Sequence, residues 1–198
     1  MLATDPALRD IAHKLALGPG DLQTRRKAVV AALIEAHKAD RVEAERLLIA
    51  TKDGFACVNH LSCSMDCMIA ILHDLPTTIF YPSSNPSTGE RMTIAAVGGY
   101  GRGTLAPGSD VDLLFILPYK ATPWSETIVE TILYALWDLK LKVGHSVRTV
   151  DECIREAKSD LTIKTALLEA RFLAGDQILF DQFSEKFDRE IISGTGRT

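Results

Sequence analysis

The chain has 198 residues, 46% of them hydrophobic, and a formal net charge of −4. That length suits one domain, or one catalytic core with a helical extension, and the composition is that of a soluble globular protein. The acidic balance offers no global basic field to nucleic acid, and no apolar run approaches the roughly 18 residues of a membrane span. The N-terminus, MLATDPALRD, lacks a basic-then-apolar signal pattern, so a cytoplasmic protein is expected.

Taken in order, residues 1–20 contain one short helical segment, with Leu8, Ile11, Ala12 and Leu15 at helical spacing. Gly18-Pro19-Gly20 stops it, and Asp21 has the character of an N-cap. From Leu22 to Thr51 good helix formers run without Gly or Pro, carrying a broken apolar stripe through Val29, Val30, Leu33, Ile34, Leu47 and Leu48. The Arg25-Arg26-Lys27 cluster reads as a solvated first turn. After a break at Gly54, a second helix is expected from Phe55 to Asp74, with Met65, Met68, Ile69 and Leu72 in the core and Pro76 kinking or ending it.

The cysteines are Cys57, Cys63, Cys67 and Cys153. With His60, the first three make C-x2-H-x2-C-x3-C, which lacks the paired C-x2-C elements of a zinc module. They read as small residues on packed helices. Residues 81–90, YPSSNPSTGE, are a loop by composition and mark the boundary between a helical preface, residues 1–80, and a core, residues 91–192.

In the core, strands are expected at Met92–Val97 and Val111–Leu117. A helix follows from Ser125, as N-cap, to Leu139, and then a third strand over Lys142–Thr149. Asp151 is a candidate cap for the next helix. Asp160 or Thr162 would cap another, ending near Gly175, and residues 176–192 form a last amphipathic helix.

The chemistry concentrates in residues 94–117, IAAVGGYGRGTLAPGSDVDLLFIL. A glycine loop allows backbone N–H groups to approach a phosphate. Asp110 and Asp112 flank Val111, so on a strand both carboxylates share a face. Two carboxylates beside such a loop suit Mg²⁺ and a nucleoside triphosphate. Gly101-x-Gly103-x-x-Ala106 imitates a dinucleotide fingerprint, but Pro107-Gly108 cuts the helix that the fingerprint needs. A P-loop needs a Lys that is absent here. The apolar run LLFIL argues against an exposed edge for the carboxylates, and uncompensated charge beside a buried strand is costly, so a cation is the simple resolution.

Val97-Gly98-Gly99, ten residues, then Asp110-Val111-Asp112-Leu113 resembles the signature of the polymerase-β-like nucleotidyltransferases. Over a longer stretch, AVGGYGRGTLAPGSDVDLLF, LWDLKLKVGHSVRTVDECI and TALLEARFLAGD resemble the N-terminal domain of bacterial protein-PII uridylyltransferase/uridylyl-removing enzymes. Thr104 stands where that family commonly has Glu. The resemblance implies an α+β fold: a small mixed sheet with flanking helices, preceded by a helical hairpin.

It also implies Mg²⁺ on Asp110 and Asp112. The triphosphate of UTP would lie against Gly98, Gly99, Gly103 and Ser109, with Arg102 offsetting charge. UMP would pass to a tyrosine hydroxyl of the PII signalling protein. Adenylyl transfer to glutamine synthetase, transfer to a small molecule, or a non-catalytic nucleotide-binding role are the alternatives. The family's HD-type hydrolase and ACT domains are not visible, so an N-terminal portion without uridylyl removal is expected.

A third carboxylate is not evident on KVGHSVRT. Asp138 and Asp151 flank that strand, and neither is assigned. His145 and Arg148 are polar strand residues, Arg148 a candidate charge partner near the site. Glu169 and Arg171 are expected on a helix in internal salt bridges.

Overall fold

The computed structural model describes residues 6–83 and 88–193. Residues 84–87 of the boundary loop and tail residues 194–198 lie outside that range. Helix α1 (Pro6–Ala16) leads into α2 (Leu22–Thr51), whose first turn is capped by the Asp21 carboxylate accepting from Thr24 N–H. Helix α3 (Gly54–Leu75) is capped by Asp53. Pro76 ends α3 as an α-helix, but the coil continues as a π turn, Pro76–Phe80. Gly54–Phe80 is long and apolar enough by composition to cross a membrane. Here its Met65, Met68, Ile69 and Leu72 are buried core residues.

Among the described residues, four strands follow the preface: β1 (Thr93–Ala96), β2 (Val111–Leu117), β3 (Val143–Thr149) and β4 (Arg171–Gly175). Their order is β3-β2-β1-β4. β1 is antiparallel to both neighbours, whereas β2 and β3 are parallel, so the sheet is mixed. The parallel pair requires a crossover, supplied by α5 (Pro123–Asp138).

β2 is buried on both faces. Val111, Leu113, Phe115 and Leu117 join a cluster with α1, α2, α3 and α5. Leu114 and Ile116 join a second cluster with α6 (Val150–Ser159), α8 (Gln177–Phe187) and the π turn Asp188–Ile192. This double burial explains the unbroken apolar run after Asp112. The short helices α4 (Gly98–Gly101) and α7 (Leu161–Leu168) sit at the end of the sheet where β1 finishes and β2 begins.

Several caps and boundaries differ from the sequence expectation. Thr122, not Ser125, caps α5; Ser125 is the third helical residue and completes a reciprocal capping box. Thr149 with Glu152 does the same for α6, so Asp151 is not the cap. Asp160 caps α7 as expected. The helix expected to run to Gly175 ends at Leu168, and residues 171–175 are strand β4, paired with β1. Arg171 is therefore a strand residue, and Glu169 is the residue closing α7.

Candidate active site

β1 ends at Ala96, and the chain turns at Val97 into α4. The turn is tied down by Val97 N–H donating to the Asp112 carbonyl at 3.1 Å. Gly98 has φ +57°, a conformation that disfavours any side chain. A Cβ there would also lie 3.3 Å from Asp112 Oδ2. On the other side, β3 pairs in register with β2 so that Gly144 stands against Asp112. A Cβ on Gly144 would fall 2.3 Å from Asp112 Oδ1. Two bare glycines thus flank one carboxylate and leave room for its oxygens.

Asp112 is half-buried, and Asp110 is exposed just before β2 begins. Burial, reinforced by the neighbouring Asp110 charge, holds the Asp112 carboxyl above the usual carboxylate range. The pair is a set of hard oxygen donors in an open setting. That suits Mg²⁺, which binds through one or two carboxylates and keeps positions for water and phosphate oxygens. No group of three or more His, Cys, Asp or Glu residues able to hold a metal occurs among the described residues. Asp138 lies in a cleft between α2 and α5, and Asp151 pairs with Lys186 at the other end of β3. Neither supplies a third ligand.

Other expected residues are placed less directly. Gly99 and Gly103 belong to the same loop, Gly103 with φ +73°. Arg102 is exposed and paired with Glu169 at 2.6 Å. The Ser109 hydroxyl donates to the Ala106 carbonyl at 2.8 Å, shaping the turn before Asp110. His145 registers with Leu113, off the Asp112 face by strand alternation, and it is exposed and lines the same cavity as Asp112. Arg148 shares the Asp112 face and pairs with Glu156 at 2.8 Å. Cys57 and Cys67 are buried, and Cys63 is half-buried in contact with Asn59.

The internal salt bridge expected of Arg171 is present, but sequence reasoning missed its partners. Asp66, buried on α3, accepts from Arg171 Nη1 at 2.6 Å, from Arg171 Nη2 at 3.0 Å and from the Tyr100 hydroxyl at 2.7 Å. Arg171 also donates to the Gly101 and Tyr100 carbonyls, at 3.1 and 3.3 Å, and lies over the Tyr100 ring. The helical preface therefore grips the glycine loop through one carboxylate and one guanidinium. Burial and the adjacent Asp66 charge raise the Tyr100 phenol well above its ordinary pKa, so it stays a donor. The available signal was an Asp inside the apolar stretch SMDCMIAIL.

Residues 86–173, which hold the glycine turn after β1, Asp110 just before β2, Asp112 within it and most of the mixed sheet, match the nucleotidyltransferase domain family. The chain is similar to a bifunctional uridylyltransferase/uridylyl-removing enzyme of Rhodopseudomonas palustris, at 51% identity over 170 residues. It is also similar to one of Bradyrhizobium diazoefficiens, at 49% over 177 residues. These alignments cover 85% and 87% of this chain but only 18% and 19% of the relatives, so the chain spans about a fifth of their length. The resemblance seen in the sequence to the uridylyltransferase/uridylyl-removing enzymes holds over most of the chain.

Proposed function

We propose that this domain transfers UMP from UTP to a tyrosine hydroxyl of the PII signalling protein and releases pyrophosphate. The observation that carries the reading is Asp112 framed by Gly98 and Gly144, with Asp110 beside it. The named activity of the two relatives supports the choice of uridylyl transfer. Asp110 and Asp112 would hold Mg²⁺. When bound, the ion supplies charge stabilisation at the α-phosphate and at the leaving pyrophosphate, and it favours the ionised acceptor.

The protein's own groups prepare that displacement. Gly98 and Gly99 let backbone N–H groups approach the triphosphate without steric cost. Gly103 keeps the loop open, and Ser109 shapes the turn that delivers Asp110. Arg102, held by Glu169, places positive charge beside the loop. The phenolic oxygen attacks the α-phosphorus, the bond to the pyrophosphate oxygen breaks in line, and the phenolic proton leaves to solvent. The test incubates the chain with PII protein, Mg²⁺ and UTP labelled at the α-phosphate, with ATP in parallel. Label on the tyrosine from UTP is expected. Absence of transfer at high enzyme concentration, beside an active longer relative, would reject the reading for this chain.

A further inference from the structure

Asp112 and Gly98 line a cavity of about 290 Å³ between the sheet and α7. That volume is near the lower end for ligand pockets, room for one nucleoside moiety rather than a whole nucleoside triphosphate. One wall is the Asp112 face of β3. Because Gly144 registers with Asp112, alternation puts Gly144, Ser146 and Arg148 on that same face. At roughly 6.6 Å per two residues, Arg148 stands roughly 13 Å along the strand from Gly144. The opposite wall is α7, contributing Thr162, Ile163 and Ala166. Leu114 and Leu167 add apolar surface.

On β3 the lining residues Gly144, His145, Ser146 and Arg148 follow one another along the strand away from Asp112. Gly144 leaves space, Ser146 is half-buried and offers a hydroxyl, and Arg148 closes the row. Arg148 is mostly buried, with 21% of its side chain exposed, and its guanidinium is held by Glu156 at 2.8 Å. A guanidinium has donors only. Facing a ring carbonyl it gains a charge-assisted hydrogen bond; facing a ring amino group it meets another donor.

Resting on the nucleotidyltransferase reading above, we propose that this cavity takes the base of the nucleoside triphosphate and that Arg148 selects a pyrimidine bearing a 4-carbonyl over one bearing a 4-amino group. The α-phosphate then lies at Asp112, the sugar passes Ser146, and the base ends at Arg148 under α7. Glu156 acts as a positioning residue that keeps the guanidinium along the strand.

UTP and CTP differ at ring position 4 and at the adjoining nitrogen proton, so they are the probes. The 198-residue chain is titrated calorimetrically with each in the presence of Mg²⁺. UTP is expected to bind at least about tenfold tighter than CTP, the worth of one charged hydrogen bond. Arg148→Met is expected to reduce the ratio to within about twofold, chiefly through UTP. Equal binding by the unmodified chain, or an undiminished preference in folded Arg148→Met, would overturn the proposal while leaving UMP transfer standing. Failure of UTP to bind would overturn it together with the function it rests on. If Arg148→Met does not fold, Thr162→Phe, at an exposed position of α7, decides. Plugging the cavity should weaken UTP by about tenfold or more, and unchanged binding refutes the base site.

Discussion

Removing the Asp66 carboxylate tests whether the preface holds the glycine loop. The Asp66 side chain is 8% exposed and accepts three hydrogen bonds, two from Arg171 and one from Tyr100. In Asp66→Ala the fully buried Tyr100 hydroxyl loses its acceptor, a cost of about 1–3 kcal/mol. Breaking a buried ion pair from one side costs about 3–5 kcal/mol. Arg171 is 31% exposed, so water recovers part of its share. These costs overlap, and the net expectation is about 3–4 kcal/mol. For a chain of this size that is a fall in Tm of roughly 6–16 °C.

Urea unfolding followed by circular dichroism should show a lower midpoint with an unchanged slope. The exposed pair offers the contrast. Arg102 and Glu169 are 56% and 32% exposed, so Glu169→Ala should cost about 1 kcal/mol or less. Because Arg171 also holds the Gly101 and Tyr100 carbonyls, the folded fraction of Asp66→Ala should show a raised KM for UTP. A loss below about 1 kcal/mol for Asp66→Ala, or equal losses for the two variants, would refute the reasoning.

Asp112→Asn should reduce UMP transfer by at least about a hundredfold in a labelled-UTP assay. The raised Asp112 pKa means that its ionised form costs stability above that pKa, so this variant should melt no lower than the parent at pH 7 without Mg²⁺. Gly144→Ala places a methyl group 2.3 Å from Asp112 Oδ1; it should displace the carboxylate and depress transfer at saturating UTP, read as a fall in kcat. Asp176 caps α8 and pairs with Arg91, and that hydrogen bond lowers its pKa. A lowered carboxylate pKa gives stability above the unfolded value near about 3.9, lost as pH falls toward the folded value. Asp176→Asn, which keeps the cap, should therefore be less stable by about 1 kcal/mol or less at pH 7. Its deficit should close below about pH 4 in melts across an acid series.

Much of this protein is legible locally. The run Leu22–Thr51 and the strand Val111–Leu117 fall where residue spacing places them, and Asp21 and Asp160 cap where short polar residues precede apolar periods. The spacing of Gly98-Gly99 from Asp110 and Asp112 marks the candidate site because turn, strand alternation and carboxylate chemistry all act within about twenty residues. Where signals compete locally, the boundary moves: Thr122 and Ser125 can each cap α5, and the structure uses both in one box.

Other features have no local signature. Arg171-Phe172-Leu173-Ala174-Gly175 is a short apolar run that follows a helix, and only pairing with β1 makes it a strand. Asp66 and Arg171 meet across 105 residues, so neither position alone announces the partner. Gly144 gains its meaning from parallel registry with Asp112, which depends on how α5 carries the chain across the sheet. The same registry sets Arg148 on the face of Asp112. Sequence by itself determined most of the helices, the first three strands, the carboxylate pair and the glycine turn, because those depend on neighbours a few residues away. Tertiary packing alone decided which distant side chains surround them, because burial and strand registry bring together positions that the chain separates.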